Sequence, residues 1–212
     1  MRRSAESVIL FWLVVSLTFL LTRLAPGDPT DLLVPPTARA EDIARLREVY
    51  GLDAGLAGQY ARWTTQVLTG DLGLSFATQE PVTEVIRRAL PVTLALGVTS
   101  LALTFLVGVT VGMWQARRAN SVGDRIVTTL SITVFAAPSF WMALALVALF
   151  TSGAAHFGWP AWLRLPAMGL ETPGSEWRGW ARAGDMARHA VLPVLVLSAI
   201  GAAGLARYAR AA

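Results

Sequence analysis

Two long stretches of this 212-residue chain, Ala89 to Ala116 and Ile126 to Leu163, contain no Asp, Glu, Lys or Arg. Ser7 to Thr22 and Ala190 to Ala206 are shorter runs of the same kind. A helix needs about 20 apolar residues to cross the hydrocarbon core of a bilayer, with roughly 17 to 25 tolerated. A soluble core of this length would interleave apolar and polar positions instead of segregating them. The pattern therefore predicts an all-α, polytopic membrane protein with about four transmembrane helices. None of these spans carries an ionisable residue at its middle, so the sequence suggests no ion or proton relay. If the chain moves a solute, the energy is expected from a partner.

Composition removes several functions. All 18 basic residues are Arg, yet they form no basic stripe with interleaved aromatics, so nucleic acid is not an expected partner. With no cysteine there is neither a disulfide framework nor a thiolate metal site. His156 and His189 lie in polar surroundings far apart in sequence and read as exposed or interfacial histidines, not as a metal pair. No cofactor is expected. There is no GxxxxGK[ST] loop to cradle phosphates, so the chain is not itself an ATPase. An intramembrane protease would need a placed nucleophile, paired aspartates or a metal-binding helix. HExxH, GxSxG and intramembrane Asp or His are all missing from the sequence.

The chain divides into a first transmembrane helix (1–25), an external helical subdomain (26–90) and a membrane domain (91–212). Arg2 and Arg3 before an apolar run resemble the opening of a signal peptide, but the small-x-small site at Ala38-Arg39-Ala40 lies too far downstream, so a retained span is expected. Pro26-Gly27-Asp28-Pro29 breaks the first helix. Beyond it, Ile43, Leu46, Val49 and Tyr50 share one helical face, with Gly51 placed to end that helix. Leu56, Tyr60, Trp63, Val67 and Leu68 share another, stopped by Gly70. A third short amphipathic stretch covers Pro81 to Leu90. These helices fit either the bilayer surface or a small extramembrane cap.

The second span is expected from Pro91 to Met113, with Gly108 and Gly112 as a small-xxx-small pair. Such a pair suits packing within the chain as well as a subunit contact. The third span, from Ile126 to about Phe150, holds Pro138 near its middle, which predicts a bent helix with the Val134 carbonyl deprived of its partner. Thr133 and Ser139 could compensate. A bend there suits a water-filled path or ordinary packing equally. Residues 151–189 read as a second non-spanning stretch whose Trp159, Trp162, Trp177 and Trp180 suit an interfacial belt. The fourth span, Ala190 to Ala206, is crowded with Ser198, Gly201, Ala202, Ala203 and Gly204, as expected of a helix buried against neighbours. Arg2 and Arg3, Arg117, Arg118 and Arg125, and Arg207 with Arg210 all fall on one side, which the positive-inside rule makes cytoplasmic. Both termini are then cytoplasmic.

Ordered motifs carry a resemblance along essentially the whole chain. Arg23-Leu24-Ala25-Pro26-Gly27-Asp28-Pro29 is followed by Tyr50-Gly51-Leu52-Asp53, Gln59-Tyr60 and Trp63, then by Gly70-Asp71-Leu72-Gly73-Leu74-Ser75. Leu90-Pro91-Val92-Thr93-Leu94, Gly108 to Gly112, Pro138-Ser139-Phe140-Trp141, His189 to Pro193 and Ala206 to Ala211 complete the series. Together they resemble the oligopeptide/dipeptide permease family, membrane subunits of binding-protein-dependent ATP-binding cassette (ABC) importers. The resemblance implies a type I importer transmembrane domain in a bacterial or archaeal inner membrane. It implies a second permease subunit, separate ATPase subunits and an external solute-binding protein as partners, besides the lipids. It also implies a coupling helix and two further spans beyond Ala206–Ala211. The sequence therefore reads as the N-terminal portion of a permease, without the coupling segment. Pro138, Ser139, Phe140 and Trp141 are candidates for the path, and Gly108, Gly112, Gly201 and Gly204 for helix packing. Pro26, Gly27, Asp28, Pro29, Gly70, Asp71 and Gly73 form the external motif. Peptides or a similar small solute are the expected substrate class. A membrane scaffold or regulatory fragment is the alternative.

Overall fold

The computed structural model describes residues 2–24, 39–49, 53–75 and 77–212. Its helices are α1 (Arg2–Leu24), α2 (Ala40–Val49), α3 (Leu56–Leu68), α4 (Val82–Arg117), α5 (Val122–Ala136), α6 (Ser139–Val147), α7 (Ala154–His156) and α8 (Gly179–Ala211). A π-helical stretch at Ala148–Gly153 joins α6 to α7, and a 3-10 turn covers Ala161–Leu163. Among the described residues there is no strand, and Leu74 and Pro81 form an isolated antiparallel bridge. Among the described residues, four helical segments are long and apolar enough to cross a bilayer: Ser4–Leu24, Val82–Arg117, Ser139–His156 and Gly179–Ala211. The protein is a polytopic all-α membrane protein.

Three boundaries differ from the sequence expectation. Pro81 to Leu90 is not a separate amphipathic helix: Val82 to Leu90 is the start of α4, which runs on through Pro91 for 36 residues. Proline inside a helix removes one backbone bond, and membrane helices carry proline more often than soluble ones do. Likewise α8 passes through Pro193 and begins at Gly179, eleven residues before the expected Ala190. The non-spanning stretch between α7 and α8 is correspondingly shorter.

The third correction concerns Pro138, which does not bend a continuous helix. Helix α5 stops at Ala136, and Ala137 (φ −70°, ψ 133°) and Pro138 (φ −59°, ψ 134°) are extended before α6 starts at Ser139. The proline ring clashes with a helical conformation at the preceding residue, so Ala137 is driven out of the helix. Nor does the Val134 carbonyl lose every donor, because the Ala137 N–H lies 3.3 Å from it and 3.0 Å from the Thr133 carbonyl. The Thr133 hydroxyl donates to Thr129 instead, at 3.0 Å.

Internal contacts divide the chain into two units, Met1–Ala89 and Leu90–Ala212. In the first, α3 packs on α1. The Phe19 ring, 6% exposed, sits 5.3 Å from Tyr60 and 5.2 Å from Trp63, and Ser16 Oγ is 2.6 Å from the Tyr60 hydroxyl. Two members of the α3 apolar face therefore cover a helix of the first unit. The side chains of Ile43, Leu46 and Val49, together with Tyr50 and Gly51, lie outside the described residues.

In the second unit α8 is the central helix, with α5 and α6 packed against it. Its buried positions include Ser198, Ala202, Ala203, Gly204 and Ala206, small residues that let neighbouring backbones approach. The π-helical stretch has its own requirement: a Cβ on Gly153 would stand 2.8 Å from the Ala148 carbonyl oxygen. Large apolar side chains on α4, among them Leu94, Val98, Leu101 and Phe105, remain exposed, as suits a surface solvated by lipid.

Candidate functional site

Helices α4 and α8 run side by side, tightly packed at one end and separated at the other. At the tight end a Cβ on Gly112 would stand 2.6 Å from the Ala206 carbonyl oxygen and 2.6 Å from Ala209 Cβ. One turn earlier, a Cβ on Gly108 would stand 2.8 Å from Leu205 Cβ and 3.1 Å from the Ala202 carbonyl oxygen. Gly201 faces Thr104, whose Cγ2 would be 3.0 Å from an added Cβ, and the Thr104 hydroxyl donates to the Ser198 carbonyl at 3.3 Å. A Cβ on Gly204 would stand 3.5 Å from the Phe135 ring of α5. All four glycines thus take part in packing within this chain.

Just beyond Gly112 the tight end closes on a buried carboxylate. Ser121 caps α5, accepting the Asp124 N–H at 3.2 Å, and so fixes Asp124 in the first helical turn. Asp124 is 1% exposed. Arg210, from the last turn of α8, grips it with two parallel bonds: Nε to Oδ1 at 2.7 Å and Nη2 to Oδ2 at 2.7 Å. Asn120 turns left-handed (φ 64°), a conformation asparagine tolerates, and aims its N–H at Oδ2 from 2.9 Å. Gln115, at the end of α4, donates through Nε2 to Asp124 Oδ1 at 3.2 Å and to Thr128 Oγ1 at 3.0 Å. The Arg210 guanidinium holds the Asp124 carboxyl down at about 2, overcoming the rise that burial would cause, with help from Asn120 and Gln115. One carboxylate therefore ties together the ends of α4, α5 and α8.

Toward the other end the two helices part. They leave an apolar cleft of about 790 Å³ between Pro91, Leu96 and Thr99 of α4 and Met186, His189 and Pro193 of α8, with Gly169 and Leu170 at its rim. Here a second buried carboxylate ties the preceding loop to α8. Asp185 accepts the Thr172 N–H at 2.6 Å and the Thr172 hydroxyl at 2.8 Å. One turn to either side, Arg182 pairs with Glu171 at 2.7 Å and Arg188 donates to the Ala161 and Arg164 carbonyls at 3.1 and 2.9 Å.

His189 corrects a sequence expectation. It is 8% exposed rather than interfacial, with Nδ1 2.9 Å from the Asp185 carbonyl oxygen and 3.6 Å from its carboxylate. The unexpected early start of α8 is the reason, since it places Asp185 one helical turn before His189. His156 is exposed, as are Trp162, Trp177 and Trp180, while Trp159 is half-buried with its ring 5.8 Å from Phe150.

The other residues singled out in the sequence are not brought into this cluster. Pro138, Ser139, Phe140 and Trp141 form the exposed start of α6. Gly70 and Gly73 adopt left-handed backbone (φ 85° and 73°), and Asp71 Oδ1 accepts the Gly73 N–H at 2.9 Å, which turns the chain after α3. Pro26, Gly27, Asp28 and Pro29 lie outside the described residues. Sequence reasoning missed Asp124 altogether and used Arg210 as an orientation charge and as part of the Ala206–Ala211 motif, with no partner named for it. Ser121-x-x-Asp124 is a helix-start pattern that could have marked α5, but no local pattern names a partner 86 residues away.

Helical architecture and packing define a multi-pass integral membrane protein, and comparison with known proteins refines the class. A family model described as the N-terminal part of the binding-protein-dependent transport system membrane component matches residues 1–97. A second, the binding-protein-dependent transport system inner membrane component, matches residues 108–212. The chain is 32% identical, over 99% of its length, to the oligopeptide transport system permease protein AppB of Bacillus subtilis. It is 33% identical over 99% of its length to a putative peptide transport system permease protein, BAB2_1050, of Brucella abortus. It is 34% identical over 93% of its length to the glutathione transport system permease protein GsiC of Salmonella paratyphi A. It covers 63%, 62% and 58% of those three proteins, respectively. The chain belongs to the family of binding-protein-dependent transport system inner-membrane components, and it spans about three fifths of the length of the relatives it matches.

Proposed function

We propose that this chain is permease sequence of an ABC importer, forming part of the transmembrane path for peptides or a similar small solute. The observation that carries the reading is the pair of consecutive family matches over 1–97 and 108–212, on a chain with four membrane-length helices. The relatives' names, which speak of oligopeptide, peptide and glutathione transport, support a peptide-like solute. In this reading the chain performs no bond chemistry. Separate ATPase subunits hydrolyse ATP, a second permease subunit completes the path, and an external binding protein delivers the solute. The arginine bias supports cytoplasmic placement of both termini and of the Asp124 end of the second unit. In this reading the chain comprises a first span (1–25), an external subdomain (26–90) and the importer membrane domain (91–212). Within it, Pro138 to Trp141 border the path at the break between α5 and α6.

The test is uptake in vesicles containing the permease that carries this sequence, its paired permease, the ATPases and the binding protein. ATP-dependent accumulation of a labelled short peptide is the expected result. Equal peptide levels with and without ATP would remove the reading.

A further inference from the structure

We propose that Asp124 is a positioning residue for transport: it joins the Arg210 end of α8 to α5, so that displacement of that end is delivered to the break at Ala137–Pro138. This rests on the importer reading above. In that reading the end bearing Arg117, Arg118, Arg125 and Arg210 faces the compartment that holds ATP, so the drive enters there.

Three observations make the joint specific. First, the bond is planar, doubled and charge-assisted, which fixes direction as well as distance. Second, the carboxylate has no slack, because Asn120 N–H and Gln115 Nε2 take up its remaining acceptor capacity from the α4 side. Third, α5 is also held near its far end, where Phe135 lies 3.5 Å from the site of a Gly204 Cβ and beneath the Arg207 guanidinium at 4.3 Å. Held at both ends, α5 moves with α8 as one body. The next place the chain can change direction is the pair of extended residues Ala137 and Pro138, where the helical bonding pattern is interrupted. With Asp124 buried and Arg210 partly exposed, desolvation of the one and solvent screening of the other offset much of the attraction, so a pair whose partners are 86 residues apart is an inefficient way to stabilise a helix bundle. As a rigid joint, it does what an apolar contact of the same size would not: it resists rotation and sliding.

The assembled importer in vesicles, with ATP hydrolysis and peptide accumulation measured on the same sample, tests this. In Asp124→Asn the amide keeps the shape and an acceptor for the Asn120 N–H but gives up the charge. Peptide accumulated per ATP hydrolysed should fall about tenfold, a usual size for coupling between sites, while hydrolysis per assembled complex persists. Arg210→Lys, which keeps charge but not the planar fork, should fall in between. Because both residues act in one joint, Asp124→Asn with Arg210→Gln should be no worse than the poorer single variant. A purely structural role predicts instead that hydrolysis and accumulation fall together with the amount of complex, at constant ratio. That outcome, or an unchanged ratio in Arg210→Lys should Asp124→Asn fail to assemble, overturns the proposal. A wild-type importer that accumulates nothing with ATP would take the importer reading down with it, whereas an active wild type beside variants of unchanged ratio removes this proposal by itself.

Discussion

The two ends of the second unit solve one problem in different ways. Each buries a carboxylate on a helix, Asp124 at the tight end and Asp185 beside the cleft, and each supplies it with hydrogen-bond donors. Asp124 takes its donors from α4, from α8 and from the turn between α4 and α5, including a guanidinium 86 residues away. Asp185 takes both of its closest donors from Thr172, 13 residues away in the adjoining loop. The glycines follow the same division. A side chain on Gly112 would run into the α8 backbone, whereas a Cβ on Gly97, two turns into the apolar run of α4, meets nothing within 4 Å. One end of the unit is therefore specified by helix-to-helix complementarity, and the other is fastened by a loop and left open between the helices.

That contrast can be broken at Gly112. Gly112→Leu must push α4 and α8 apart, because the obstructing atoms include backbone that cannot rotate away. Overpacking of this kind costs about 1–3 kcal/mol or more. A clear drop in the melting temperature of the purified protein in detergent is expected, and an unchanged melting curve would mean that the tight end does not exist.

Asp124 should come next in effect. Its carboxyl is held at about 2, below the ordinary carboxylate range near 4. A depressed folded-state value stabilises the protein above that ordinary range, and the contribution is lost as pH falls through about 2. Asp124→Asn should therefore lower thermal stability at neutral pH and narrow the gap to wild type as the medium is acidified from 4 toward 2. A gap independent of pH would argue against a charged joint.

Thr172→Val tests the loop-fastened end. It removes the hydroxyl donor to Asp185 but keeps the backbone N–H, so the loss should be smaller than at Asp124 and local. Faster amide exchange over residues 157–178, with the α4–α8 contact unchanged, is the expected pattern; loosening at Gly108 or Gly112 would show that the two ends are not independent. Smallest of all should be Gly97→Ala, which replaces a weak helix former in open space and is expected to raise stability by up to about 1 kcal/mol. Destabilisation there would mean that the open face of α4 is covered. The orientation assigned to this contrast is checked with single cysteines and an impermeant thiol reagent in cells with an opened outer membrane. Position 71 should label and position 117 should not.

Sequence by itself determined the solvent. Uncharged runs long enough to cross a bilayer, the small-residue content of α8 and the sidedness of the arginines are local or additive properties, legible without any knowledge of contacts. They were enough to give an all-α membrane protein; the family came from the resemblance carried by the ordered motifs. Tertiary structure decided where helices really start and stop. Pro91 and Pro193 stayed inside helices, whereas at Pro138 the helix ended, with Ala137 before it in extended conformation. It also decided which charges matter. Asp124 and Arg210 look like ordinary helix-end residues in one dimension, and His189 looks interfacial. Asp124 and Arg210 owe their pairing to folding, since contact across 86 residues depends on how α5 and α8 pack, which no local pattern encodes, while His189 is buried beside Asp185, one turn earlier on α8.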